Sequence, residues 1–269
     1  MKKKLLTLVA VILAAAALVA ASVAGTVAYL TASSAVSNVF TVGNVSMTMF
    51  EHKVDPIDGT ADPNVEVDTN TYHLVDGKTY AKDPTIRVTS TDSMYLFVKS
   101  SNQIRTIEAG NVTASTNKDG NPTMRKQMEN NGWVEFVQSG DGVEIVWVYG
   151  TRDPATGVIT PVAVNKESQN SIPGKTGNTV KGEFSLCEEF TVADKGIDIT
   201  LYAAAKVTFT GFGIQSTLTV NDGNVAKTAW DALKSTYPYE GGIVNPVNPY
   251  DSTKTGDDAY VPVPDPTAP

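Results

Sequence analysis

Cysteine is nearly absent from this 269-residue chain: Cys187 is the only one, so no internal disulfide can form. That absence is compatible with export, because many bacterial surface proteins do without disulfides. Histidine is almost as scarce. His52 and His73 are the two in the chain, and no HExxH segment places two imidazoles one helical turn apart, as zinc hydrolases need. GxSxG, SxxK, Walker and GxGxxG segments are missing too, which removes the common nucleophile and phosphate-binding frameworks. Positive charge is in deficit, with 21 Lys and Arg against 29 Asp and Glu. The formal net charge is −8, and without Lys2, Lys3 and Lys4 it is −8 − 3 = −11. Such a chain repels phosphate and anionic lipid, which argues against a nucleic-acid partner.

The three lysines open a segment of a different kind. Leu5 to Ala24 is apolar apart from Thr7 and Ser22, and Thr26-Val27-Ala28 puts small residues ahead of Tyr29. A positive start, an apolar run and small residues form a signal peptide with a cut between Ala28 and Tyr29. The run of about 20 residues would also span a bilayer, so an uncleaved anchor is the alternative. Both readings put the chain after residue 28 outside the cytoplasm, since the positive end stays inside.

Beyond residue 28 the pattern has period two, which signals strands. Val45, Met47 and Met49 alternate with Ser46, Thr48 and Phe50. Residues 84–90 read as a strand, and Met94 to Val98 is continuously apolar, as in a strand buried on both faces. Trp133 to Val137 and Val143 to Tyr149 flank Ser-Gly-Asp-Gly, a hairpin signal. Residues 184–192 read as one strand carrying Cys187. The clearest alternation, Ile197 to Phe209, predicts a long half-buried strand whose alanines let a neighbouring layer approach. Residues 54–70 and 165–182 read as polar surface loops. TMRKQM allows one helical turn, and a helix with Val225, Ala229 and Leu233 on one stripe is capped by Asn221 or Asp222 and stopped by Pro238. About ten short strands with one late helix predict an all-β, jelly-roll-like antiparallel sandwich. Its expected limits are residues 29–240, after a signal peptide at 1–28. The Pro- and Asp-rich tail at 241–269 is expected to be disordered, because alone it buries too little to offset its ordering entropy.

Candidate chemistry is sparse. His52 and His73 flank the acidic stretch DPIDGTADPNVEVD, which lacks the DxDxDG spacing of a calcium loop, so they are weak metal candidates. Glu188 next to Cys187 would raise a thiol pKa, and Cys187 reads as a buried small hydrophobe. Neither a catalytic residue nor a cofactor is expected.

Several stretches together resemble one family. GTVAYLTASSAVSNVFTVGNVSMTMFE is similar to the start of proteins processed by the SipW-type signal peptidase. KTYAKDPTIRVTSTDSMYLFVK, GWVEF, VEIVWVYG, LYAAAKVTFTGF and AKTAW resemble later segments of the TasA/camelysin family, which includes secreted biofilm matrix fibre proteins. The resemblance runs over about residues 1–237. It implies a secreted jelly-roll sandwich of a Gram-positive bacterium, in the extracellular matrix or on the cell surface. Its implied partners are copies of itself, a SipW-type peptidase and accessory matrix proteins. The camelysin side of the family implies a metallopeptidase, for which these two histidines give little support.

Cleavage after Ala28 would leave an uncharged arm, YLTASSAVSNVFTV, without proline or glycine. A terminus of this composition can add as a strand to the sheet edge of a second copy, with Leu30, Val36, Val39 and Phe40 filling the recipient groove. Such head-to-tail contacts do not close and so build a filament. The alternative is that the arm is strand one of its own sheet. Two functions thus compete: a fibre subunit assembled by donor-strand exchange, and a secreted sandwich that binds or adheres through loops 54–82 and 165–182. A camelysin-like metallopeptidase is the remote third.

Overall fold

A computed structural model of the chain describes residues 31–110, 120–169, 172–177, 179–193, 198–217 and 223–267, with backbone only for 31–38. The signal-peptide reading and the Ala28–Tyr29 cut lie outside the described residues, as does Leu30. The described chain is predominantly strand, and its sheets pack as a sandwich.

Strands are numbered in chain order. The large sheet holds β1 (Thr31–Val42), β4 (Thr69–His73), β7 (Met94–Asn102), β9 (Trp133–Ser139), β10 (Glu144–Arg152), β14 (Lys206–Gln215), β15 (Pro246–Asn248) and β16 (Asp251–Thr255). Their order is β16-β15-β9-β10-β7-β14-β1-β4, with β11 (Ile159–Pro161) paired to β10. One four-stranded sheet runs β12-β6-β2-β3, with β2 at Met47–Val54, β3 at Ala61–Val67, β6 at Thr85–Val88 and β12 at Glu183–Ser185. A three-stranded sheet runs β5-β13-β8, with β5 at Thr79–Ala81, β8 at Glu108–Ala109 and β13 at Glu189–Val192. Among the strand pairs, β1 with β14 is parallel and the others are antiparallel.

The large sheet is buried on both faces, which explains its near-continuous apolar runs. On the inner face Met94, Leu96, Val98, Ile145, Trp147, Tyr149 and Phe209 share a core with Met47, Met49, Ile86, Phe184 and Phe190 of the smaller sheets. On the outer face Phe97, Val146, Val148, Phe212 and Ile214 lie under α2 (Val225–Thr236). That helix presents Ala226, Ala229, Trp230 and Leu233, and Asn224 caps it by accepting from Lys227 N at 3.0 Å. The expected caps Asn221 and Asp222 lie outside the described residues. The predicted helical turn is realised as α1 (Met124–Asn130), capped by Thr123.

Four expectations need correction. The long strand over 197–209 starts instead at Lys206 and continues to Gln215; Ile199–Tyr202 is a 3-10 turn and Leu201 is 79% exposed. Asp198 accepts from Thr200 N at 3.1 Å, a local cap that competes with the ladder. Close approach of the layers falls to glycines: a Cβ on Gly211 would meet Met47 Cε at 3.1 Å, and one on Gly213 would meet Met47 Sδ at 3.2 Å. Residues 184–192 are not one strand but β12 and β13, with Cys187 buried in the break. The tail expected to be disordered supplies β15, β16 and a 3-10 turn at Gly256–Tyr260. Asn248 Nδ2 donates to Ala259 O at 2.9 Å and to Val261 O at 2.8 Å, and Tyr260 packs on Phe136 with ring centres 5.4 Å apart. The tail lacks a core of its own, but the outer face of the large sheet provides one. The sandwich therefore extends past residue 240. The acidic stretch at 54–70 is likewise not all loop, since β3 pairs with β2 as an exposed edge strand.

Candidate functional site

The arm singled out by its composition is β1. Thr31–Ala35 pair with His73–Thr69 of β4, while Ser33–Val36 and Val39–Val42 pair with Lys206–Phe209 and Gly211–Ile214 of β14. An irregularity between Val36 and Val39 splits the second ladder. Val39 packs against the inner core, and Phe40 and Val42 against the outer one. Phe40 stacks on Phe212 at 5.4 Å and lies 4.6 Å from the Tyr237 ring, whose hydroxyl donates to Thr41 O at 2.9 Å. Val36 is in register with Phe209. Within one chain, then, the arm occupies its own sheet.

How β1 connects to that sheet matters for what it can do. After Val42 the chain leaves the ladder, and β2 starts at Met47. Gly43 opens this link at φ 91°, a left-handed conformation that suits glycine. A Cβ there would lie 2.8 Å from Gln215 Cβ, so the turn is also tight. Of the strands, β1 is the first described; it lies parallel to β14, and this link carries the chain on to β2.

The two histidines belong to different sheets. His52, on β2, is clamped by Asp83: Nδ1 lies 2.5 Å from Oδ2, and the His52 amide donates to Oδ1 at 2.9 Å. Beside it, Arg87 sits over Phe50 at 4.1 Å and bonds Glu66 at 2.6 and 3.0 Å and Glu183 at 2.9 Å. His73, on β4, donates its amide to Pro56 O at 3.1 Å and opposes Thr31 of β1. No group of three His, Cys, Asp or Glu side chains able to hold a metal ion occurs among the described residues. Cys187 is fully buried, and burial pushes its thiol well above the ordinary value. Near it runs a buried ion pair, Lys82 to Glu51, with the Lys82 ammonium 5.2 Å from the Phe209 ring centre.

Sequence reading missed a cleft on the inner side of the large sheet. Its volume is about 250 Å³, and its walls come from β7, β8, β10, β14 and α1. Trp147, Phe209, Ile145, Met124 and Met128 form its apolar lining, with Glu108 among them. Glu108 accepts from Met124 N at 2.5 Å and from Asn102 Nδ2 at 3.2 Å. Burial raises its carboxyl to about 7, against the pull of these two donors. Trp147 Nε1 donates to Ser100 Oγ at 2.9 Å, so the indole N–H is already used.

Neither the family models, the curated proteins nor the solved structures hold a match to this chain.

Glu108 carries no signal of its own in the sequence. It follows a turn in a mixed stretch, and only the folded arrangement of β8, α1, β10 and β14 brings it to one cleft with Trp147 and Phe209. Among the described residues no helix is long and apolar enough to cross a membrane.

Proposed function

We propose that the protein is a secreted structural subunit that polymerises into an extracellular or cell-surface fibre by exchanging β1 between copies. The observation that carries this reading is the placement of β1. It is an N-terminal strand, parallel to β14, that completes the sheet between two other strands and hangs on a short glycine-led link. The same slot accepts the same strand from a second copy, because ladder hydrogen bonds and the Phe40 contacts do not depend on which chain supplies the arm. Each copy then gives one arm and receives one, which produces an open, head-to-tail filament. The likeness of residues 1–237 to secreted matrix fibre proteins supports the reading. It also names the partners: further copies of the chain, a SipW-type peptidase that frees the arm at Ala28–Tyr29, and accessory matrix proteins on a Gram-positive surface.

The test is negative-stain electron microscopy of protein from the culture supernatant of a host bearing a SipW-type peptidase, beside a variant lacking residues 29–37. Mature protein should form filaments. The deletion should give a folded monomer, because Val39–Val42 still pair with Gly211–Ile214. Filaments from the deletion variant would end the exchange reading.

The cleft around Glu108 favours a second reading, a secreted sandwich that binds a small ligand. A protein that stays monomeric and retains such a ligand would support it.

A further inference from the structure

We infer that the cleft lined by Trp147, Phe209 and Glu108 is a binding site for a small organic cation, an aryl- or alkylammonium held by its charge on Glu108 and by its carbon frame against the two rings. This site is independent of fibre assembly, since β1 is not among its walls.

Charge accounting carries the inference. Three charged side chains line the cleft: Arg105, Arg125 and Glu108. Arg125 is paired with Glu135. Arg105 is bound to the Asp141 carbonyl at the rim. The nearby Lys82 is paired with Glu51. Of the three, Glu108 has no cation partner among the described residues; its two partners are a backbone amide and a side-chain amide. Cys187, the remaining titratable group nearby, is buried, and its raised pKa keeps it a neutral thiol. An unpaired carboxylate that opens on aromatic and thioether side chains is complementary to an ammonium group with a hydrophobic body. An anion would meet that carboxylate, with Arg125 already paired to Glu135 and Arg105 bound to the Asp141 carbonyl at the rim. A cleft of about 250 Å³ suits a ligand smaller than a typical drug.

Proton linkage gives the site a signature. Glu108 holds its proton up to about pH 7, and a cation binds the ionised form. Affinity should rise as pH passes from below to above that value, with proton release on binding near neutrality. The probes are phenethylamine, protonated throughout this range, and phenylacetate, its anionic counterpart of similar shape. Titration calorimetry on the full secreted chain at pH 5.5 and pH 8 should show phenethylammonium binding about tenfold or more tightly at the higher pH. Phenylacetate should bind more weakly than phenethylammonium at both. Glu108→Gln should weaken phenethylammonium binding at pH 8 to its acidic value and remove the pH dependence, whereas Arg105→Gln should leave it in place. The wild-type pH profile needs no variant, so a poorly folding mutant cannot mask the result. Stronger binding of phenylacetate, a flat pH profile, or no phenethylammonium binding up to about 10 mM would each overturn the assignment.

Discussion

If β1 moves between copies, pinning it to its own chain should stop assembly, and pinning it to a neighbour should make assembly permanent. Ser33 on β1 and Thr71 on β4 are register partners, and Thr71 is exposed. Opposed residues on antiparallel strands have Cα atoms about 4.5–5.5 Å apart, within the span of a disulfide. The double variant Ser33→Cys/Thr71→Cys can therefore form the bond without moving the backbone. The native Cys187 will not compete, being buried with its thiol pKa raised. Oxidised as a monomer, the variant closes a loop of about 38 residues, worth about 4 kcal/mol of unfolded-state entropy. It should melt higher than the parent and form no filaments until a reductant is added. Oxidised after filaments have grown, the same cysteines should join different chains and give a ladder on a non-reducing gel. Filaments that grow while an intrachain disulfide is intact, or filaments that yield only monomers on that gel, would refute strand exchange.

Other expectations follow from the same packing. Phe40→Ala removes the contacts to Phe212 and Tyr237 from a half-buried ring, and thermal unfolding should show a loss of about 2 kcal/mol. Lys82→Met alone leaves Glu51 buried without its ammonium and should cost about 3–5 kcal/mol, while Lys82→Met with Glu51→Leu should recover most of it in denaturant titrations. Burial raises Glu108 from 4.5 to about 7, so the folded state holds that proton more tightly than the unfolded one. Stability from this group is fully present below pH 4.5 and falls by about 3 kcal/mol as pH rises through 7; Glu108→Gln should flatten that part of the pH–stability curve. A chain ending at residue 245 loses Asn248 and Tyr260 and bares Phe136, and its melting midpoint should drop, whereas a spectator tail would leave it unchanged.

Some of this was legible in the chain because the signal is local. Alternation marked β2, the Ser-Gly-Asp-Gly turn marked the β9–β10 hairpin, and the five apolar residues at Met94–Val98 marked a strand with two buried faces. The stripe on α2 was readable for the same reason. The two histidines flank the acidic stretch in the sequence, and the structure places them in separate sheets.

The sequence by itself determined the β-rich class, the late helix and the uncharged β-prone arm, since each depends on periodicity or composition within a few residues. Tertiary structure alone decided where those parts went. It put β1 between β14 and β4, gave glycines the close contacts expected of alanines, and ordered a polar tail by offering it an apolar face that the tail does not encode. It also brought Glu108 to Trp147 and Phe209, residues 39 and 101 positions further along the chain (147 − 108 and 209 − 108). Hydrophobic burial and unpaired charge are properties of a neighbourhood, and a neighbourhood exists only once distant segments have packed.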